Sequence, residues 1–581
     1  DLAGHYHSLY QDVSLEDGRG EHYAQALLWY REFLNSFPQD GDSPSINYQL
    51  ADLRFEHEDF REAAREYERT AYAYHDHEQA APAGYAAIYA HRENLKVVGE
   101  AQETVARRAT VESSLRFADT FSDHEHAATV LGAAAEDLYQ MNDFNRAIGA
   151  GTLLIERYAD VDVPLLRSAW AVVAHSSLAT ALYVDAEHAY SQVLDLSAED
   201  DEARQGLFEN LAASIYKQGE QASELGDHRS AADHYLRIKV VAPTSEIRPS
   251  AEYDAATALM KLEDWPAAAE VFRDFRGVHT DHELQPDVTK QLAFVYRQAG
   301  EVVQSAQEYE RVADDANDPT MRREAMLLAG ELYEEADDER ALEVFIRYVD
   351  NFPRPMDLAL EMRFKIAQIY KEAGEQKSYH ETLRLIVTIN DGAGGERTPR
   401  TKYLAAQSSL VLCEPIYEHF TDLALTQPFA ASLAEKRTRM DAAMSAFEGL
   451  VGYEVAEVTA AATFYMAEIY SHFGGALLAS ERPSNLNPAE LAEYELAIEE
   501  EAFPFEESAI DVHEKNIELM AAGTFNAWVQ RSIDQLAVLM PGRYAKYEIS
   551  SGFIGPAQIF AYRSPEASQE LARVEDVSPG F

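Results

Sequence analysis

A small residue recurs along this chain with a second marker four positions later, usually an aromatic, and the interval between recurrences is nearly constant. The pairs are Ala26/Tyr30, Ala63/Tyr67, Ala147/Gly151, Ala186/Tyr190, Ala231/Tyr235, Ala268/Phe272, Ser305/Tyr309 and Ala341/Phe345, with weaker members near Ala109 and Tyr379. Successive spacings are 37, 46, 38, 39, 45, 37, 37, 36 and 38 residues. A second register lies twelve residues ahead of the first, at Ala51, Ala135, Ala174, Gly219, Ala256, Ala293, Ala329 and Ala367. Helical hairpins account for both registers. Two helices of about 14 residues cannot bury an apolar face alone, so each pair stacks on the next. Small residues at the crossing let helix axes approach to about 8–10 Å, and the aromatic fills the gap toward the neighbouring pair. The fold class that follows is all-α, an α-solenoid of hairpins.

Turn chemistry falls where the hairpins require it. "EHEDF" at 56–60, "MNDF" at 141–144, "LGDH" at 225–228 and "LEDW" at 262–265 separate first from second helices. "NSFPQD" at 35–40, "VVAP" at 240–243 and "DNFPRP" at 350–355 end second helices with a proline that cannot continue them.

Within the repeats, "QLADLRF" at 49–55 and "QLAFVY" at 291–296 place Leu, a small residue and an aromatic in order before a turn. This resembles the first helix of the tetratricopeptide repeat, over about residues 20 to 390, with spacings longer than that family's usual repeat of about 34 residues. The resemblance implies a superhelical array that binds proteins. The "FP" endings look like those of envelope-associated bacterial members of the family, such as those attending outer-membrane assembly or the Tol system.

"NDGAGGERTPR" at 390–400 interrupts the pattern. Its glycines neither follow a strand nor precede the lysine of a phosphate loop, so it reads as a joint. The expected organisation is an array of about ten helix pairs over 1–390, a linker at 391–400, a long-helix domain over 401–550 and an extended tail at 551–581. Long helices are expected at about 402–425, 429–450, 453–480 and 487–521, the last capped by Asn487 and kinked or split by Pro504, and a final one at 525–548. "PAELAEYELAIEEEAFPFEESAI" and "WVQRSIDQLAVLMPGRY" resemble segments of tetratricopeptide proteins linked to envelope motors of the TonB/ExbB or gliding type, which implies a periplasmic scaffold.

The net charge of −52 over 581 residues makes nucleic acid a poor partner, since phosphate binding needs a basic footprint. Only 12 of the 49 basic residues are Lys, and this acid-rich, lysine-poor surface is similar to that of proteins from salt-loving organisms. No apolar run is long enough to span a bilayer. The chain opens "DLAGHYHSLY" without an initiator Met, which fits an exported, periplasmic protein, with a cytoplasmic one as the alternative. Cys413 stands alone, so no internal disulfide forms, and its apolar setting suggests an inert thiol.

Histidine/acid clusters at 5–7, 75–78, 123–126 and 281–283 fall mostly in turns and lack the helical spacing of a zinc enzyme. "DGDS" at 40–43 lacks the other ligands of a calcium loop. No nucleophile elbow, kinase signature or dinucleotide fingerprint occurs, so neither enzyme activity nor a cofactor or metal is expected.

In this kind of repeat, first-helix residues flanking the small position face a groove. Early hairpins place Asp52, Glu56, Glu136 and Gln140 there; later ones place Tyr253, Lys261, Lys290, Arg297, Arg323 and Lys371. Those six form a candidate clamp for an acidic or C-terminal carboxylate-bearing peptide, with Tyr253 as apolar anchor. The plainer alternative is an ordinary solvated face. The function expected is a protein-binding scaffold in a bacterial envelope. The alternative is a subunit that self-assembles.

Overall fold

A computed structural model describes residues 1–74, 77–521 and 523–546. The described residues form 26 α-helices and two short 3-10 turns, with no strand. None of these helices is long and apolar enough to cross a membrane. The chain divides into two compact units, Asp1–Leu332 and one beginning at Tyr333, with the boundary inside the helix Pro319–Glu334. The tail at 551–581 lies outside the described residues, as do His75 and Asp76 of the 75–78 cluster.

The first unit is a run of hairpins in which, from Leu2–Gln11 to Val302–Asp315, each helix packs on the next in sequence. Ser43–Glu56 pairs with Phe60–Ala73, Ala127–Gln140 with Phe144–Arg157, Arg248–Lys261 with Trp265–Val278, and Gln285–Gln298 with Val302–Asp315. The periodic small residues sit where the registers put them. Ala26, Ala63, Ala147, Ala186, Ala231, Ala268 and Ser305 are all 0% exposed, as are Ala51, Ala135, Ala174, Ala256 and Ala293. Gly219 shows why size matters, because a Cβ there would lie 2.5 Å from the Tyr235 ring. Where Gly151 replaces the aromatic, Val173 of the next hairpin moves in, 2.8 Å from where a Cβ would stand. Ala109 is a correction. It is only half-buried, and Ala106 and Thr110 occupy the core instead. The cause is local: the helices Ala80–Val97 and Glu100–Thr120 are joined through an extended Val98–Gly99 link, which resets the register.

The turns inside the hairpins share one backbone device. Glu58, Asn142, Ala181, Gly226, Glu263, Gly300 and Gly374 all have φ between 57° and 78°. Each stands five residues before a small or aromatic rung position. The following N–H in each case donates to a carbonyl five residues back, at 2.8–3.0 Å, as from Asp59 to Arg54, Asp264 to Leu259 and Glu301 to Tyr296. This is the Schellman closure, which satisfies carbonyls left open at the end of a helix.

The second unit begins with the repeat-like helices Asp338–Asn351, Met356–Glu372 and Gln376–Gly392, then lengthens. Pro399–Thr421, Phe429–Val451, Ala456–Leu478 and Pro488–Ala521 surround a core that includes Phe420, Phe447, Val458, Ile469 and Phe473. Between 391 and 400 a 3-10 turn, Gly394–Glu396, leads to Arg397, whose guanidinium donates to the carbonyls of Asn390 and Asp391 at 2.7 Å. Asn487 caps the helix Pro488–Ala521 by accepting from the N–H groups of Ala489 and Glu490, each at 3.0 Å. Pro504 lies inside that helix without splitting it. The closing helix is shorter than its apolar pattern suggests, ending at Leu539 because Pro541 biases Met540 toward extended backbone (φ −129°, ψ 65°).

Candidate functional site

The helix Gln285–Gln298 carries the strongest candidate surface. Lys290 and Arg297 are both exposed and stand seven residues apart, two turns on one face. Phe294 lies between them, 40% exposed, with its ring edge-on to Trp265 at 6.0 Å. Among the described residues neither cation is in an ion pair, whereas nearby Arg276 is bound by Glu308 and Arg248 by Glu252. Lys290 also borders a cavity of about 210 Å³ whose lining includes Pro286, Val312, Ala316 and Met321, with Asp315 as its one carboxylate. Cation, exposed ring and cation along one helix suit a segment bearing both carboxylate and apolar groups.

Tyr253 sits beside this face on the preceding hairpin. Its hydroxyl donates to Asp287 and receives Gln291 Nε2 at 3.4 Å, while its ring meets Phe272 edge-on at 5.6 Å. Burial first, then the Asp287 bond, pushes its pKa up to about 12. The phenol therefore ties two hairpins together and offers only part of its ring to solvent. Lys261 ends the same helix as Tyr253, exposed, and its charge acts on Asp254. Arg323 follows on Pro319–Glu334, half-buried. Lys371 belongs to the second unit, exposed near the ring of Tyr379 at 5.9 Å. Tyr253, Lys290 and Arg297 are thus joined through direct contacts and a shared helix, with Lys261 two turns from Tyr253.

The early groove positions are different. Asp52 accepts the Tyr67 hydroxyl, and Glu56 accepts His7 at 3.2 Å and Gln11 at 2.7 Å. Glu136 accepts from Ser168 at 2.5 Å and Gln140 from Arg107 at 3.1 Å. Their polar groups are consumed within the fold. Phe294 and Trp265 were the residues sequence reasoning passed over; in "QLAFVY" Leu292, Ala293, Val295 and Tyr296 fill the core-facing positions and leave Phe294 outward.

Several chemistry-bearing side chains elsewhere are occupied structurally. His77, His124 and His282 each accept the N–H two residues on through Nδ1, at 3.2 Å, and so close the turns between hairpins. Burial raises the Cys413 thiol to about 11, and Sγ rests 3.6 Å from the Ala446 carbonyl. Lys436 is fully buried and lowered to about 8 by desolvation, yet Nζ donates to the carbonyls of Phe420 and Leu423 at 2.7 Å. It closes the end of the helix Pro399–Thr421. Ser532 lies 3.1 Å from His513 Nδ1, with Glu468 3.4 Å from Nε2, but serine and histidine are both 0% exposed. Ser532 also accepts from Asn516 Nδ2 at 2.9 Å, so His513 and Asn516 together hold the helix Ala527–Leu539 in place.

Residues 324–354 match the tetratricopeptide repeat. A search of curated proteins finds no match. A chain from the structure of Naa15/Naa10 bound to HypK-THB aligns over 100% of this chain and 98% of its own, at 12% identity and a TM-score of 0.25. A tetratricopeptide repeat protein from Parabacteroides merdae aligns with 47% of this chain and 96% of its own, at 12% identity and a TM-score of 0.20. The C-terminal part of a TPR repeat-containing protein from Cytophaga hutchinsonii aligns with 45% and 95%, at 16% identity and a TM-score of 0.21. Residues 324–354 thus match a tetratricopeptide repeat within a run of helical hairpins whose two small-residue registers are buried.

Proposed function

We propose that the protein is a non-enzymatic scaffold that holds acidic segments of partner proteins against the Lys290–Phe294–Arg297 face. Tetratricopeptide folds generally serve as interaction scaffolds. The observation that carries the reading is the pair of exposed, unpaired cations flanking an exposed aromatic in a chain of net charge −52. A surface that leaves its scarce positive charges uncommitted is complementary to an acidic, partly apolar ligand. We place the scaffold in a bacterial envelope on the resemblance of the "FP" endings and the C-terminal segments to envelope tetratricopeptide proteins.

Affinity capture from native extract at native salt tests the reading. Partners retained by the wild type should be lost with Lys290→Glu/Arg297→Glu, while helicity stays unchanged. The same partners on the double variant would refute it.

Self-assembly, the second reading, would draw on a different feature. Leu496 and Phe503, seven residues apart on Pro488–Ala521, are 57% and 58% exposed. A stripe of this kind is where copies of the chain would pair if screening lowered their repulsion.

A further inference from the structure

The second unit contains a half-buried guanidinium with nothing to bind. Arg363, in the helix Met356–Glu372, makes no hydrogen bond or ion pair with any described residue, in a chain that carries 101 carboxylates. Asp350 is the charge that acts on it, and burial draws its pKa below the usual arginine range. Arg363 lines a cleft of about 570 Å³, formed by the first half of its own helix, the last turns of Gln376–Gly392 and the turn at Gly394–Glu396. Pro353, Met356 and Ile389 make the walls apolar. At the rim Glu396 is held by Arg354 through two bonds, of 3.0 and 3.2 Å, so the one carboxylate lining the cleft is already neutralised.

These features select a ligand chemistry. Guanidinium presents a planar fork that matches a carboxylate in a two-bond arrangement. The apolar walls require a hydrocarbon part and disfavour a small, strongly hydrated dianion, whose desolvation nothing else in the cleft would offset. We propose that this cleft binds an apolar monocarboxylate, with its carboxylate on Arg363 and its hydrocarbon against Pro353, Met356 and Ile389. A free medium-chain acid and the C-terminus of a chain ending in an apolar residue share that chemistry. The volume lies within the range of small-molecule sites. The site does not depend on the Lys290–Arg297 face, which belongs to the other unit.

Calorimetric titration of the full chain with sodium octanoate tests the proposal. Octanol and two short leucine-ended peptides, one with a free carboxyl and one amidated, serve as further arms. Saturable binding is expected for octanoate or the free-carboxyl peptide, and for neither octanol nor the amide. Whichever carboxylate binds identifies the source. Arg363→Met should weaken that binding about 10- to 100-fold. Gly392→Phe is a second, independent variant. Its Cβ would meet nothing within 4 Å, and Gly392 lines the cleft, so a ring there adds bulk to the lining while Arg363 is kept. It should weaken binding comparably, and Lys290→Glu/Arg297→Glu should leave binding unchanged. Undiminished affinity in both cleft variants, or no saturable binding of either carboxylate, overturns the proposal.

Discussion

Single tyrosines do much of the joining between helices. Within hairpins the rung hydroxyl reaches the residue after the first-helix small position: Tyr67 to Asp52, and Tyr190 to His175 at 2.7 Å. Between hairpins Tyr216 reaches Asp254 and Tyr253 reaches Asp287. None of these partners was legible in the sequence. An Asp or His beside a buried alanine reads as a groove residue, and whether a hydroxyl reaches it depends on the angle at which two helices cross. The six candidate binding residues show the same limit: register located them on the first helices, but only side-chain geometry separates the committed Tyr253 from the uncommitted Lys290 and Arg297.

The Tyr190–His175 bond has a pH consequence. Burial lowers the His175 pKa below its usual value. A histidine whose folded pKa lies below the unfolded one contributes stability above the unfolded pKa, near 6.5, and loses it as pH falls through the folded value. His175→Gln keeps an acceptor for Tyr190 and removes the titration. Thermal unfolding should therefore show a smaller loss of Tm from pH 7.5 to 5.5 in the variant than in the wild type. Equal losses would mean that His175 already accommodates its charge in the fold.

At the scale of the hairpin, the turns are the part most fully written in the chain. The acid-rich or Gly-containing stretches expected at 56–60, 141–144, 225–228 and 262–265 are where Glu58, Asn142, Gly226 and Glu263 take positive φ. Sterics make this legible, because one residue must adopt the left-handed conformation for the Schellman bonds to close. The chain supplies glycine at only some of these positions. Left-handed backbone costs a non-glycine residue about 1–2 kcal/mol. Glu263→Gly should accordingly stabilise its hairpin by up to about 1 kcal/mol, allowing for the greater freedom of glycine in the unfolded chain. Gly300→Ala, at φ 77°, should destabilise its hairpin by about 1 kcal/mol. Hydrogen exchange of the N–H groups of Asp264 and Glu301, which close those two turns, reads both effects locally: protection should rise in the first variant and fall in the second. Helix ends without such a device were harder to foresee, as the early stop at Leu539 and the shifted register at Ala109 show.

At the scale of the whole molecule, charge and apolar surface act against each other. A net charge of −52 makes every folded copy repel itself and its neighbours, and this repulsion weakens as the Debye length falls to about 10 Å at 0.1 M salt. Two outcomes follow from raising sodium chloride from 10 mM to 1 M. Tm should rise, with the larger part of the gain below about 0.2 M, where screening between surface carboxylates changes most. Molar mass by light scattering should meanwhile stay that of one chain at micromolar concentration, because Leu496 and Phe503 are two exposed residues on a helix otherwise rich in Glu. A mass that doubles as salt rises, and returns to one chain with Phe503→Glu, would instead assign that stripe to self-assembly. In that case repulsion is the control, and the acidic surface sets the ionic strength at which copies meet. A flat Tm across the series would show that the native surface already disperses its carboxylates widely enough for screening to add nothing.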